Sequence, residues 1–177
     1  MPNCRVFPPD YNELVGCDLE PGSIVAVAFI DEDVDFETVP SDIENPANWV
    51  GLAYAASVLI HQEARGSYPR PAATEVPGKG KQDVRIVGRK HQATFRVSGV
   101  KDNDNYWNTL NRATNYKFAM VVGSDYDLLL YVPTLVSIDA ALLVPESLDS
   151  EAEWEIVVKW SSSDVPRTHD VPVGIFE

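Results

Sequence analysis

Three short stretches of this chain carry side chains that could do chemistry, and the most acidic of them is Asp31–Glu37, DEDVDFE. Carboxylates crowded into a loop are what a calcium site needs. The stretch lacks the glycine and the closing bidentate glutamate of an EF-hand loop, so its pattern is that of an acidic turn or sheet edge. Three histidines and two cysteines give no metal-ligand spacing either. We therefore predict no metal site and no cofactor.

The other two stretches resemble phosphate-binding and hydrolytic motifs only in part. Gly78–Lys81, GKGK, could hold an anion at its backbone amides, but no Walker spacing and no following Ser or Thr accompanies it. Ser161–Ser163, His169 and Asp170 supply the side-chain types of a hydrolase triad without a nucleophile elbow. Since no constellation of catalytic groups is complete, we predict that the protein has no catalytic residues and is not an enzyme.

Charge is distributed unevenly along the 177 residues, whose formal net charge is −13. Between Ala64 and Lys101 there are nine basic residues and two acidic ones, a net charge of +7, and the remainder carries five basic and 25 acidic residues, a net charge of −20. The overall excess of acid argues against adhesive binding to nucleic-acid phosphates. Two interpretations stay open: a solvated surface of mixed sign, or a self-complementary chain whose basic segment meets acidic surface on a neighbouring subunit.

The elements that would position these charges are clearest in His91–Val122, which reads as strand, short helix and strand. Ala93, Phe95 and Val97 alternate with polar residues, as in a half-buried strand. A helix over about residues 103–114 follows, with an apolar face at helical spacing. A helix this short is not stable alone, so its apolar face must pack on the flanking strands.

Period-two patterns predict the remaining strands, and the clearest is Glu151–Ser161. Its residues Trp154 and Trp160 fall on the core side, and three carboxylates fall on the exposed side. Ser23–Ile30 is apolar on both faces and reads as a central strand covered on both sides. Shorter strands and a helix beginning at Asn45-Pro46 complete the pattern. The fold class is mainly β: a β-sandwich or β-barrel of seven or eight strands with one or two short flanking helices.

The domain organisation follows from the breaks in these patterns. Residues 1–22 read as an irregular N-terminal arm, residues 23–161 as a single domain, and residues 162–177 as an irregular C-terminal tail. Within the domain, Gly66–Gln82 has three prolines, three glycines and no apolar period, so it reads as a long loop. That loop is either a flexible hairpin tip or an arm that becomes ordered against a neighbouring subunit.

The compartment follows from what the sequence does not contain. No apolar run approaches ~20 residues, so we predict no membrane-spanning helix. The N-terminus lacks the basic and apolar regions of a signal peptide, which predicts synthesis and retention in a cytoplasm. Cys4 and Cys17 are expected to be free thiols, with a bridge that closes the arm as the alternative.

Four stretches carry a resemblance to a known family: CDLEPGSIVAVAFID, GSYPRPAATEVPGKGKQ, DNDNYWNTLNRATNYKF and EIVVKWSSSDVP. They are similar to virion proteins of phages of Bacteroidetes-type hosts, and the whole arrangement resembles the tail-tube subunits of long-tailed bacteriophages. Those subunits are β-sandwiches or barrels with a flanking helix, a long loop and an arm, and they stack as hexameric rings around a DNA channel.

The resemblance implies a structural protein of the virion, made in the host cytoplasm. Its partners would be further copies of itself, other tail or head proteins, and DNA that passes through without tight binding. A capsid-decoration or head–tail connector protein fits nearly the same features and remains the alternative. A carbohydrate-binding module could use the four tryptophans, although periodicity assigns three of them to the core.

Two sets of charged residues are the expected working surfaces of such an assembly. The basic segment should lie at subunit contacts: Arg65, Arg70, Lys79, Lys81, Arg85, Arg89 and Lys90. Some of the acidic residues should face a central channel, with the outer wall as the alternative for each: Asp31, Glu32, Asp33, Asp35, Glu151, Glu153 and Glu155. A wall of carboxylates keeps a duplex away, because phosphate binding grows with the number of cations presented to it.

Overall fold

The computed structural model describes residues 23–36, 40–78, 84–123, 126, 128–146 and 151–176. In these ranges ten strands and three helices form. They are β1 (Ile24–Asp31), α1 (Pro40–Glu44), α2 (Pro46–Tyr54), β2 (Val58–His61), β3 (Ala64–Ser67), β4 (Ala72–Pro77), β5 (Val84–Val97), α3 (Asp104–Leu110), β6 (Tyr116–Val122), β7 (Leu128–Val132), β8 (Ser137–Leu143), β9 (Glu153–Ser162) and β10 (Arg167–His169). The predicted N-terminal arm, with Cys4 and Cys17, lies outside the described residues.

All ten described strands belong to one antiparallel sheet, in the order β10-β7-β6-β1-β3-β5-β9-β8, with β2 attached to β1 and β4 attached to β5. The mainly-β prediction is confirmed, although seven or eight strands were expected. β10 and β8, at the two ends of this order, do not pair with each other among the described strands. The sheet is therefore open, which favours the predicted β-sandwich over the β-barrel.

The sheet bends so that two of its parts face each other across the main core. The rings of Phe118 on β6 and Phe95 on β5 stack with their centroids 6.0 Å apart, although these strands are not neighbours in the sheet. Phe29 approaches Phe118 to 5.6 Å, and Trp160 on β9 approaches it to 6.2 Å. Trp154 and Trp160 are both buried, as the alternation in β9 predicts.

A second core covers the opposite face of β1 and explains why that strand is apolar on both sides. Ala28 and Ile30 pack there with Trp49 of α2. Asn45 caps α2 as predicted, because its Oδ1 accepts a hydrogen bond of 3.0 Å from the backbone N–H of Ala47. The indole N–H of Trp49 donates to the carbonyl oxygen of Ile43 at 2.6 Å. All four tryptophans are therefore buried, so none provides an exposed platform for a sugar ring.

α3 is shorter than the predicted helix over about residues 103–114. Trp107 and Leu110 are buried as expected, but the helix ends at Leu110. The next residue, Asn111, uses its side chain to bond the backbone of Ala140 on β8: its Nδ2 donates to the carbonyl oxygen at 2.9 Å and its Oδ1 accepts from the N–H at 2.6 Å. This tertiary contact competes with continuation of the helix, which ends before the predicted residue 114.

The prediction of a long loop over residues 66–82 is wrong for two of its parts. Gly66 and Ser67 belong to β3, and residues 72–77 form β4, which pairs with β5. A Cβ at Gly66 would stand 2.3 Å from the carbonyl oxygen of Thr94, so this glycine permits β3 to approach β5 closely. β4 shows no apolar period because every one of its residues is exposed. Residues 79–82 lie outside the described part of the chain.

The C-terminal tail over residues 162–177 is also more ordered than predicted. β10 pairs with β7, and Phe176 is fully buried with its ring 5.1 Å from Trp49. The tail therefore completes the second core. Its short strand and single aromatic anchor are too brief to give a periodic signal. No helix in the described residues is long and apolar enough to cross a membrane.

Candidate assembly surfaces

A highly exposed element of the described structure is a two-stranded ribbon made of residues 72–77 of β4 and residues 84–88 of β5. β5 has 14 residues, and its part from Arg89 to Val97 pairs with β9 in the body of the sheet. Residues 84–88 pair only with β4 among the described strands. A two-stranded hairpin with nothing packed on either face is marginally stable in water. The ribbon is therefore expected to gain stability from a partner.

The ribbon carries large apolar side chains at places where solvent would favour polar ones. Val76, Val84, Ile86 and Val87 are between 37% and 51% exposed. Val84 and Ile86 are two residues apart and lie on one face of β5. Val87 is the extra residue of a β-bulge, because Thr74 pairs with Gly88 and Glu75 pairs with Ile86. Neither face is covered by another described element. Clustered exposed apolar side chains of this kind are typical of a surface that binds another protein.

Most of the predicted basic contact residues lie on or beside the ribbon. Arg85 is on the ribbon opposite Val76, and Arg89 and Lys90 continue β5 into the sheet. Arg70 lies just before β4. Arg65 does not belong with them, because it lies on β3 opposite Arg96. Lys79 and Lys81 fall outside the described residues.

Beside the ribbon is a cavity with a volume of about 640 Å³, which we call the basic pocket. Arg70, Lys90 and Lys159 line it, and none of its lining residues in the described part of the chain is a carboxylate. Buried rings also line it: His91 stacks on Trp160 at 5.1 Å. Lys159 was not among the predicted contact residues, because its place beside Lys90 depends on the register in which β9 pairs with β5.

Behind these lining rings, Tyr68 holds His91 in place. Oη of Tyr68 lies 2.6 Å from Nδ1 of His91, and the two rings are nearly parallel. Tyr68 also stacks on Trp160 at 5.7 Å. The three stacked rings support one side of the basic pocket, and Pro69, Arg70 and Pro71, in the connection from β3 to β4, form another side.

The predicted carboxylates form two separate groups. Glu153 and Glu155 lie on β9, where Arg96 of β5 approaches their Oε2 atoms to 3.9 Å and 3.2 Å. Sequence alternation places these carboxylates correctly on the outer side but does not reveal Arg96, which comes from the neighbouring strand. Glu151, just before β9, is exposed. The row of three carboxylates is thus partly neutralised within the chain.

The other group is the acidic turn, residues 31–35. Asp31 ends β1, its Oδ1 accepts a hydrogen bond of 3.1 Å from the N–H of Asp33, and its Oδ2 accepts one of 3.4 Å from Nδ2 of Asn115. These bonds hold the turn in one shape. Glu32 and Asp33 are exposed. Asp35 is exposed as well, so the turn presents a cluster of negative charge at the end of the strand.

The acidic turn and the basic pocket lie near each other, because the sheet folds back on itself. Asp31 of β1 pairs with Tyr116 of β6, whose carbonyl oxygen accepts a hydrogen bond of 2.9 Å from the N–H of Val136. The next residue, Ser137, pairs with Lys159 of β9 and lines the basic pocket. Opposite charges are therefore presented at neighbouring strand ends of one subunit.

One edge of the sheet is less available for pairing than the ribbon. β8 ends the sheet order, and the Asn111 side chain bonds both the N–H and the carbonyl of Ala140 in its middle, as a neighbouring strand would. Blocking an edge in this way protects a sheet against unwanted pairing. Leu142, Leu143 and Val144 remain exposed farther along β8 and just after it. They form a second exposed apolar surface, near the start of β9.

The side chains that suggested chemistry are not brought together. His169 lies on β10 with its Nδ1 3.4 Å from Oε1 of Glu44, whereas Ser161 and Ser162 lie on β9, across the sheet. Oγ of Ser162 accepts a hydrogen bond from the N–H of Asp164. The described residues contain no group of three or more His, Cys, Asp or Glu side chains that could hold a metal ion.

Among the described residues, the surroundings of His61 strongly affect its titration. It stacks on Trp107 at 5.1 Å, and its Nε2 lies 2.9 Å from Oη of Tyr106. Burial lowers the pKa of His61 from 6.5 to about 4. Burial also raises the pKa of Tyr106 to about 12, with Tyr116 nearby adding to the effect, so the phenol stays protonated. His61 is thus a neutral core residue that joins β2 to α3, as its strand pattern suggests.

The depressed pKa of His61 predicts a loss of stability in acid. The unfolded chain binds a proton at this residue below pH 6.5, whereas the folded chain resists it until about pH 4. The free energy of unfolding should therefore fall as the pH drops between these values, by up to about 3 kcal/mol from this residue. Urea denaturation of wild type and His61→Phe at several pH values would measure this. Equal pH slopes for the two proteins would contradict it.

No protein-family model and no curated protein matches this chain. Among solved structures, one similar chain comes from the tail of an empty gene transfer agent (GTA) particle with C6 symmetry, and another from the virion of a native GTA particle. Each is 17% identical, with a TM-score of 0.33 over 60% of this chain and over 79% and 82% of its own length, respectively. At this identity and TM-score the likeness does not assign a function, which has to come from the surfaces of the molecule.

Proposed function

We propose that this chain is a structural virion protein, a tail-tube subunit that assembles with copies of itself into stacked hexameric rings around a DNA channel. The observation that carries the proposal is the ribbon. It is exposed on both faces, bears four large apolar side chains and is flanked by basic residues. A monomer gains nothing from such an element, whereas a neighbouring subunit would bury it. The sequence resemblance to tail-tube subunits supplies the kind of assembly.

Surfaces of opposite charge support association between copies. The ribbon with Arg85 presents exposed basic and apolar side chains, and the acidic turn presents exposed carboxylates. Two different surfaces that complement each other give a heterologous contact, which closes into rings or continues as a filament. A stacked tube needs contacts that close each ring and contacts that continue from one ring to the next. Arg70, Arg85, Arg89 and Lys90 are the proposed contact residues.

A tube that conducts DNA must not bind it tightly, and the net negative charge of the chain meets that requirement. Using the basic residues at subunit contacts removes them from the wall that the DNA would meet. Glu151, and those exposed carboxylates of the acidic turn that take no part in subunit contacts, can then face the channel. Each phosphate contact that a cation makes strengthens binding, so a wall poor in cations lets the duplex pass. Other tail or head proteins would meet the ends of the tube in the virion.

Assembly through basic-to-acidic contacts should depend on salt. At low ionic strength the purified protein should sediment as rings or tubes. At about 0.5 M salt the Debye length falls to a few ångströms, and the assembly should shift toward monomers. Sedimentation velocity over a range of salt and protein concentrations measures this. A monomer at every concentration and low salt would contradict self-assembly and favour a decoration or connector protein that binds other components.

A further inference from the structure

We infer that the ribbon of one copy pairs, as an added strand, with the free edge of β2 in the next copy. The inference rests on the proposed self-assembly and names the two surfaces that meet. Strand addition gains affinity from backbone hydrogen bonds, and it gains selectivity from the side chains on either side of the added strand. Three features of β2 support it: its backbone, the groove beside it and the charge around that groove.

The outer edge of β2 carries backbone groups that have no partner among the described residues. The N–H of Asp31 donates to the carbonyl oxygen of Ser57 at 2.9 Å, which sets the residues of β2 that bond to β1. Only alternate residues of an antiparallel pair exchange hydrogen bonds, so Leu59 bonds to β1 and its two neighbours do not. The N–H and C=O groups of Val58 and Ile60 therefore point away from β1, and no described residue bonds to them. An added strand would satisfy these groups.

A groove of about 460 Å³ borders this edge, and we call it the β2 groove. It exists because β5 ends at Val97 and no described strand other than β1 pairs with β2. Its lining residues are Val58, Leu59, Ile60, His61, Val97, Ser98, Asn103, Tyr106 and Trp107. Trp107 of α3 stacks on His61 at 5.1 Å, so the helix that forms one wall is held against β2. An extended strand can enter the groove and bond to the row of backbone groups along it.

Carboxylates lie around the β2 groove. Asp102 and Asp104 flank the N-cap residue of α3, which lines the groove. Both are exposed, and neither makes an ion pair with a described residue. Lys101 is the one cation among residues 101–104. The acidic turn starts beside the first residue of β2, because Asp31 bonds to Ser57. The groove therefore favours an added strand that carries cations.

The ribbon has the properties that such a strand needs. Its β5 strand has β4 on one side and no described strand on the other, because β9 pairs with β5 only from Arg89 onward. Its side chains alternate between apolar and basic at Val84, Arg85 and Ile86, and all three are exposed. Arg85, together with Arg89 at the base of the ribbon, outnumbers Glu75, the one carboxylate of the described ribbon. A free backbone edge, apolar side chains and positive charge are thus combined in one segment.

The ribbon and the β2 groove of one subunit are too far apart to meet. Val97 lines the groove, and Ile86 lies near the other end of the same continuous strand, which has 14 residues. At about 3.3 Å per residue, roughly 30 Å separate them. The added strand must therefore come from another copy. Each copy can offer its ribbon to one neighbour and accept a ribbon from another, which propagates the contact from subunit to subunit.

Proline substitution tests the added strand. Ile60→Pro removes an N–H that the described monomer does not use, and the proline ring obstructs a neighbouring strand. Leu142→Pro is the matched control, because Ala140 bonds to Asn111 on the outer edge of β8 and the N–H of Leu142 points the same way. Ile60→Pro should raise the protein concentration needed for assembly by about tenfold or more, whereas Leu142→Pro should change it by less than about twofold. Thermal unfolding checks that both variants fold, and equal effects of the two on assembly would overturn the inference.

A peptide experiment separates this inference from the proposed function. A synthetic peptide of residues 84–89, VRIVGR, should bind the wild-type monomer below its assembly concentration. It should also slow hydrogen exchange of the Val58 and Ile60 amides, measured by NMR. The same peptide with every backbone amide N-methylated keeps its charge but cannot donate to the ladder, so it should not bind.

The outcomes of the peptide experiment differ for the two proposals. Binding of VRIVGR with protection of both amides, in a protein that never assembles, would refute the tube but retain the strand pairing. Assembly of the wild type with both amides unprotected, or equal binding of the two peptides, would retain the tube but refute the strand pairing.

Discussion

Replacing residues 74–88 with a two-residue Asn-Gly turn should abolish assembly and leave the folded monomer intact. Ala73 and Arg89 are directly paired across the β4–β5 ladder, and a two-residue turn joins such a pair without distortion. The deletion removes Val76, Val84 and Ile86 together with Val87, which are the exposed apolar residues of the ribbon. It touches neither core, because none of the described residues removed is buried. Sedimentation and thermal unfolding would report assembly and fold separately.

Point substitutions provide a matched control for that deletion. Ile86→Glu places a charge on the ribbon, and Val173→Glu places the same charge at an exposed valine in the C-terminal segment that packs on the second core. If apolar area on the ribbon drives assembly, the first variant should remain monomeric at concentrations where the second assembles. Assembly of the deletion variant at the wild-type concentration would contradict any role for the ribbon.

Trp160→Ala should lower the free energy of unfolding by about 3–5 kcal/mol, the usual loss for truncation of a buried aromatic ring. Trp160 is 6% exposed and joins parts of the sheet that are not hydrogen-bonded to each other. It stacks on His91 and Tyr68 and approaches Phe118 of β6 at 6.2 Å. Removing the Trp160 ring leaves a cavity between β9 and β6, where two parts of the sheet pack against each other.

The measurement is urea denaturation under conditions where the protein is monomeric. Val173→Ala is the control, because Val173 is 77% exposed and an exposed truncation is expected to change stability by no more than about 0.5 kcal/mol. A loss below about 1 kcal/mol for Trp160→Ala would show that this ring does not hold the two parts of the sheet together.

Sequence pattern predicts the elements whose two faces differ, or whose two faces are both buried. β9 alternates, so its period identifies Trp154 and Trp160 as core. β1 is apolar throughout because two cores cover it. β4 is not predicted, because both of its faces are exposed and apolar residues do not alternate with polar ones along it. Its hydrogen bonds to β5 are made by the backbone, so they do not restrict residue type. The burial of Phe176 is not predicted, because a single buried residue forms no periodic pattern in the sequence.

The candidate surfaces are predictable only in part, for the same reason. A count of charges along the chain identifies Arg85, Arg89 and Lys90, which are close in sequence. Lys159 joins Lys90 in the basic pocket, and Arg96 pairs with Glu155, only through the register of β5 with β9. Register depends on long-range pairing, which residue order does not specify.

The most direct test of the proposed tail tube is a cryo-electron microscopy reconstruction of the assembled protein, with the electrostatic potential calculated on its inner and outer walls. We expect stacked rings with an open axial channel, a channel wall of negative potential, and the ribbon with Arg85 buried between subunits. An assembly without a channel, or a channel wall that is strongly positive, would contradict the account and leave a capsid-decoration or head–tail connector protein as the better description.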